Sequence, residues 1–321
     1  MHIFRLALAA GAALAIFCTS ALAADKVTVA VTSIVEHPAL NAARDGVKKA
    51  LEEAGYKDGD NLIFQFETAQ GNPATAAQIA QKYVGENPAV IVPIATPSAQ
   101  AVVAATQDIP IVFTAVTDPV SAQLVKDRDH PGGNVTGIAD MSPLADHLKL
   151  IKEIVPNAKK IGVPYNPGES NSVVLLTALK EMAPKAGYEI VEAPAAKSAD
   201  VQGAAQSLVG KVDVIYVPTD NTIVSALEAV IAVGTDNKIP VFSGDTDSVT
   251  RGTITSVGFD YFEIGRQTGA VVARVLKGEK PGDIPVKNAS GTDLFVNTKA
   301  AAAMGVTLPP DLVSRAKKVI N

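Results

Sequence analysis

The sequence predicts an α/β protein of two lobes, each a doubly wound parallel sheet with helices on both faces. Three observations lead there. Short β-branched runs alternate with longer helical patterns along the whole chain, the order that gives parallel strands joined by crossover helices. Several of the runs are apolar at every position, as strands covered on both faces are. The third observation is that the chain describes the same half twice.

Taken in order, residues 27–32, 90–94, 111–114, 160–163, 212–217 and 241–243 read as strands, and 39–54, 75–85, 98–106, 172–186, 201–209 and 223–233 as helices. The strand opening at Lys26 leads to a helix ending Leu51-Glu52-Glu53-Ala54-Gly55-Tyr56, and the strand opening at Lys160 leads to one ending Lys185-Ala186-Gly187-Tyr188. Ala76-Ala77-Gln78 with Gln81-Lys82-Tyr83-Val84-Gly85 is echoed in Ala204-Ala205-Gln206-Ser207-Leu208-Val209-Gly210. Val90-Ile91-Val92-Pro93 matches Val214-Ile215-Tyr216-Val217-Pro218, and Ile109-Pro110 matches Ile239-Pro240. Four correspondences in one order put the join between two lobes near residues 132–140. A single Rossmann-like sheet of all six strands is the competing arrangement; it is disfavoured because the second half restarts the motif rather than continuing it.

The chain has 321 residues, too many for one simple core and suited to two domains. Its start is cationic (His2, Arg5), then apolar from Leu6 to Phe17, then small up to Ala21-Leu22-Ala23. This is the pattern of a secretory signal peptide covering residues 1–23; the apolar stretch is shorter than the roughly 20 residues that span a bilayer. Lipid attachment at Cys18 is disfavoured by the bulky Phe17 before it, and cleavage after Ala23 would remove the chain's one cysteine, so no disulfide is expected. A periplasmic location follows as the expectation. With 28 basic against 33 acidic residues, there is no basic stripe for nucleic acid.

In open parallel sheets ligands bind beyond the carboxyl ends of the strands, so the turns after the strands hold the candidate binding residues. The first lobe offers Glu36 and His37, then Thr96 and Ser98, then Thr117 and Asp118. Thr96 reads as an N-cap and Pro97 as the first helical residue, leaving free N–H groups beside two hydroxyls, a pocket suited to a carboxylate. The second lobe offers Asn166 and Asn171, then Asp220 and Asn221, then Asp245 and Thr246. Each cluster alone is ordinary turn chemistry, but nearly every cleft-facing turn carries one. Hydroxyls and a helix end on one side and carboxylates on the other fit a zwitterion, its carboxylate at Thr96 and Ser98, its ammonium at Asp220 or Asp245.

Enzyme signatures are missing: the sequence has no G-x-S-x-G, G-x-x-x-x-G-K-[ST], G-x-G-x-x-G or H-E-x-x-H. No cofactor and no metal are predicted; no His pair has ligand spacing, and Asp245-Thr246-Asp247 departs from a calcium loop at Val249 and Thr250. His37 is a candidate ligand contact, whereas His130 and His147 read as surface or capping residues. Sugar sites favour broad aromatic faces, and this chain has no Trp. Tyr165, Tyr216 and Phe113 stand near strand ends, either lining an apolar pocket or filling the core.

The strings 36–40, 95–100, 113–119, 131–137, 165–169, 218–221 and 245–248 resemble, in order and over essentially the whole mature chain, those of the ABC transporter substrate-binding family whose relatives take up tryptophan and other aromatic amino acids. The resemblance implies a type I periplasmic-binding-protein fold with three crossings between lobes, near 137–140, 258–260 and 285–287. The first lobe is then 24–138 plus 259–285, the second 139–258 plus 286–321. It also implies a monomer that captures a small molecule in the cleft and delivers it to an ABC permease. An amino acid is favoured as ligand; a sugar or nucleoside, or presentation of the ligand to a chemoreceptor or kinase, are the alternatives.

Overall fold

The computed structural model describes residues 26–321; the expected signal peptide and Cys18 lie outside the described residues. The first lobe is built from β1 (Val27–Ser33), α1 (Pro38–Glu53), β2 (Leu62–Thr68), α2 (Pro73–Glu86), β3 (Val90–Ile94), α3 (Thr96–Ala105), β4 (Ile111–Val116) and β5 (Val135–Ala139). β3, β4 and β5 are buried at every position, because helices cover both faces of the sheet and leave no polar face to show as alternation.

The second lobe runs through α4 (Leu144–Ile154), β6 (Lys160–Tyr165), α5 (Ser170–Met182), β7 (Glu189–Pro194), α6 (Val201–Ser207), β8 (Val214–Val217), α7 (Asn221–Ser225), α8 (Leu227–Asn237), β9 (Val241–Ser243), α9 (Thr246–Arg251) and β10 (Thr255–Phe259). The chain then returns to the first lobe with α10 (Tyr261–Leu276) and β11 (Lys287–Asn288), and ends on the second with β12 (Thr292–Asn297), α11 (Thr298–Ala303), α12 (Pro310–Ser314) and β13 (Lys318–Ile320).

The first sheet has the order β2-β1-β3-β4-β5-β11 and is parallel throughout. The second repeats the order as β7-β6-β8-β9. β10 lies beside β9 through the bond from Ile254 N–H to the Val241 carbonyl, and pairs antiparallel with β12. Each lobe has its own core, one around Val29, Ile91, Phe113 and Val272, the other around Ile161, Leu175, Ile215 and Val296.

Core membership marks three crossings, after Ala139, at Asp260 and after Ala289. The last falls later than the expected 285–287. Val286 N–H donates to the Arg128 carbonyl, Ala289 N–H to that of Ala139, and β11 pairs with β5. These bonds keep the chain on the first lobe for one more short strand, too brief to leave a hydropathy signal.

α1 and α10 pack in close contact because each presents glycine: a Cβ on Gly46 would lie 2.1 Å from the Phe262 carbonyl oxygen, and one on Gly265 would lie 2.0 Å from that of Ala43. This contact fixes the N-terminal ends of both helices, where His37 and Tyr261 enter the cleft. No helix among the described residues is long and apolar enough to cross a membrane.

Candidate ligand-binding cleft

In the order 2-1-3-4 the strands reverse direction of progression between the first and the third, and that switch point is where such sheets open a crevice. Here β1 and β3 flank it in the first lobe, β6 and β8 in the second, and the two crevices face each other. Between them lies a narrow cavity, lined by residues of both lobes and of the crossings. Outside it, and sharing Asn221 with it, a wider mouth lies between Pro97 and Asn72 on one lobe and Asn166 and Lys197 on the other.

On the first lobe, Thr32 at the end of β1 and Thr96 and Ser98 at the start of α3 are buried, and their hydroxyl oxygens have no partner. The N-cap of α3 is Ala95 rather than the expected Thr96, so α3 has no side-chain cap. Thr96 is the first helical residue and is free for other work. Ala95 takes φ 71° and Ala115, at the irregularity between β4 and β5, φ 54°. Both lie in the left-handed region that costs an L-residue energy, and both sit where β3 and β4 meet the cleft.

The second lobe is more fully bonded. Asp220 caps α7, accepting from Ile223 N–H through Oδ1, and its Oδ2 accepts from Asn166 N–H and the Ser172 hydroxyl, both at 2.5 Å. Glu169 accepts from the N–H and side-chain amide of Asn221, from the N–H and hydroxyl of Thr222, and from the Asn171 amide. Asp245 caps α9, accepting from the N–H and hydroxyl of Ser248.

At the hinge, Asp140 follows β5 and is buried; its Oδ2 accepts from the Tyr261 hydroxyl at 2.8 Å, while Oδ1 has no partner. Asn171 is similar. Its amide donates to Glu169 and to the Thr219 carbonyl, which fixes its orientation and leaves Oδ1 unpartnered. Buried polar atoms are otherwise almost always bonded, so the unpartnered atoms of Asp140 and Asn171 in the cavity wall, with that of His37 Nδ1, mark a place for a polar ligand.

Burial dominates the titrations. It pushes Asp140 up to about 6 against the opposing Tyr261 hydrogen bond. Asp220 is raised by burial first and the Glu169 charge second, and Asp245 by burial. His37 is held down at about 3 by burial and then by the Arg251 charge, so its imidazole is neutral.

Of the expected site residues, His37, Thr117, Asn171, Asp220, Asn221 and Asp245 line the cavity, Thr96 and Ser98 lie buried at the α3 end, and Asn166 lines the mouth. Three lie elsewhere. Glu36 points to solvent beside Arg44, 3.7 Å away, because His37 takes the N-cap position and successive extended residues face opposite ways. Asp118 is occupied by its own turn, accepting from Val120 and Ser121. Thr246 donates to the Phe259 carbonyl.

Phe113 and Tyr216 are core residues and Tyr165 is half-buried outside the cavity; the aromatic ring that lines it is Tyr261. His147, expected as a surface or capping residue, is buried between Tyr216 and the Val257 carbonyl, and burial lowers it to about 4. Sequence reasoning misses Asp140 and Tyr261. The strand-end rule finds both when it is applied to β5 and β10, but neither strand stands out in the sequence.

Two similar lobes, three crossings and a polar cavity shared between them define a solute-capture protein. The profile of the family described as ABC transporter substrate binding protein matches residues 28–320. The chain is 45% identical over 276 residues to the "Tyrosine-binding protein" of Clostridioides difficile strain R20291, covering 86% of this chain and 80% of that one. It superposes at TM-score 0.89 on an ABC domain in complex with L-Trp from Streptococcus pneumonia, 35% identical, over 92% of this chain and 100% of that one. Against the ligand-free, open structure of a substrate binding protein with adhesive properties from Clostridium difficile, 42% identical, over 92% and 99%, the TM-score is 0.69. Of these two, the ligand-bound structure superposes better although it is less identical in sequence. The chain belongs to the ABC transporter substrate binding protein family.

Proposed function

We propose that this protein is a non-enzymatic, extracytoplasmic binding component of an ABC importer, held in the periplasm, that captures an amino acid with an aromatic side chain and presents the closed form to its permease. The observation that carries the reading is the set of unpartnered buried groups at and beside the cavity. Hydroxyls of Thr32, Thr96 and Ser98 lie buried on the first lobe, and acceptor oxygens of Asp140 and Asn171 line the cavity. Donors and acceptors of this kind complement a carboxylate and an ammonium on one carbon.

The ligand carboxylate is assigned to Thr96 and Ser98, where α3 also offers N–H groups with no helical acceptor. Its ammonium is assigned to Asp140 and Asn171, with Asp220 and Asp245 adding negative potential behind. Asp140 is preferred over those two because they already hold three and two donors, respectively. The relatives that bind tyrosine and tryptophan support an aromatic side chain. A ligand touching both lobes favours the closed state by its differential affinity for it.

The test is a thermal-shift screen of the ligand-stripped protein against amino acids, sugars and nucleosides. A ligand at about 100 times its Kd stabilises by roughly 2.7 kcal/mol. Shifts with L-tyrosine or L-tryptophan are expected; silence across amino acids with a shift for a sugar or nucleoside would overturn the ligand assignment.

A further inference from the structure

Three side-chain atoms of residues lining the cavity are buried without a partner: Asp140 Oδ1, Asn171 Oδ1 and His37 Nδ1. The first two are acceptors. Asp140 Oδ2 takes the Tyr261 hydroxyl, and the Asn171 amide is turned to Glu169 and the Thr219 carbonyl, so in each residue the free atom is an oxygen. For His37 the answer depends on the tautomer, and its neighbour settles that.

His37 precedes α1 in extended backbone and makes no cap to that helix. Its imidazole is bonded instead to the side chain of Asn221, on the second lobe, in a bond that favours the protonated ring. An oxygen facing a ring N–H has that effect, and Asn221 has its NH2 on the Glu169 carboxylate at 2.6 Å. Since Nδ1 is unpartnered, the hydrogen given to Asn221 is on Nε2. Burial, then the Arg251 charge, keeps the ring neutral, and a neutral imidazole carries one hydrogen. Nδ1 is therefore a buried lone pair with nothing to accept.

We propose that His37 Nδ1 is the third acceptor for the ligand's ammonium, completing with Asp140 Oδ1 and Asn171 Oδ1 a set that matches the three N–H groups of a primary amine. Asp220 and Asp245, also in the cavity wall, already hold their own donors and add charge only. His37 belongs to the first lobe, Asp140 to a crossing and Asn171 to the second lobe, so one ammonium ties all three parts together. His37 is thereby a specificity-determining residue: a secondary amine leaves one acceptor empty, and a quaternary one leaves all three.

This inference rests on the cleft taking an amino acid. The experiment compares wild-type protein with His37→Leu, which offers no acceptor and removes no cap from α1. In calorimetric titrations, L-tyrosine and L-phenylalanine are expected to lose the same factor, about tenfold or more, as for one hydrogen bond to a charged group. A loss for tyrosine alone places the ligand's phenol at Nδ1 and overturns the proposal, as does unchanged affinity for both.

A second measurement needs no variant and reads the atom itself, so it separates contact with the ligand from a merely structural loss in H37L. In protein carrying isotope-labelled histidine, nuclear magnetic resonance is expected to show His37 as the Nε2–H tautomer. Its bare Nδ1 signal should move upfield when L-phenylalanine binds, because the ammonium is that ligand's only donor. If H37L does not fold, this measurement decides; an Nδ1 that carries the hydrogen, or one that the ligand leaves unmoved, overturns the proposal. If L-phenylalanine does not bind, methylammonium chloride replaces it as the probe, with tetramethylammonium chloride, which has no N–H, as the control. Should the protein bind no amino acid while methylammonium alone moves Nδ1, the ligand assignment fails and the ammonium site stands. Amino-acid binding to which Nδ1 is indifferent leaves the ligand assignment standing and overturns the proposal.

Discussion

Asp140→Asn should raise the stability of the unliganded protein and weaken its binding of ligand, and the two effects have one cause. The Asp140 carboxyl is buried with one oxygen unpartnered, and burial lifts it to about 6. Against an unfolded value near 3.9, a shift of roughly two units corresponds to about 3 kcal/mol. The sign follows from linkage: the folded pKa is raised, so the stability of the protonated form is complete below the unfolded pKa and is lost as pH climbs through about 6. At pH 7 wild type has lost it and D140N has not.

The Asn amide must still be accommodated beside the Tyr261 hydroxyl, so a net gain of about 1–3 kcal/mol is expected, a rise of several degrees in Tm. Near pH 4 the two proteins should melt alike. Ligand binding should fall by about 2–5 kcal/mol, the cost of leaving a buried ammonium without its counter-charge, or roughly 30- to 4,000-fold in Kd. Calorimetric titration with L-tyrosine and L-tryptophan, beside scanning calorimetry of the stripped protein from pH 4 to 8, reads both effects. A variant that binds as tightly as wild type and melts no higher at pH 7 refutes the reasoning.

Three further outcomes follow from the same geometry. Affinity should fall below about pH 6, approaching tenfold per unit as Asp140 takes up a proton, with no contribution from His37, which is neutral down to about 3; titrations at pH 5, 6, 7 and 8 show it, and a flat profile refutes it. Asp220→Ala should weaken binding and lower the melting temperature as well. Asn166, Ser172 and Ile223 lose their common acceptor, at about 1–3 kcal/mol for each donor left buried and unbonded, offset in part by relief of a buried charge; an unchanged melt would show those bonds to be unimportant. Gly265→Ala sets a methyl 2.0 Å from the Ala43 carbonyl oxygen, backbone that cannot swing away. Forcing α10 off α1 should cost about 1–3 kcal/mol or more, read as a lower midpoint in urea, and a neutral result would mean that the two helices slide freely.

The sequence by itself determined the periodic order of strands and helices, the duplication and the chemistry of the turns. These are local or repeated properties: an apolar run of five residues, a proline beside a threonine, or a string that recurs is visible wherever it falls. From them came the two lobes, the switch-point residues Thr96, Ser98, Asn171 and Asp220, and the complementarity to a zwitterion. Only the tertiary structure decided which polar groups were already spent. Asp118, Asp220 and Asp245 look alike in sequence, each an acid in a turn, but Asp118 satisfies its own loop, the other two cap helices facing the cavity, and Asp140 keeps a free oxygen. The bond from Tyr261 to Asp140 spans 121 residues, and the pairing of β11 with β5 spans more still; no pattern within a window of residues encodes either. Whether a buried polar atom has a partner depends on what the rest of the chain brings to it, and in this protein that accounting separates the residues left for a ligand from those that hold the fold.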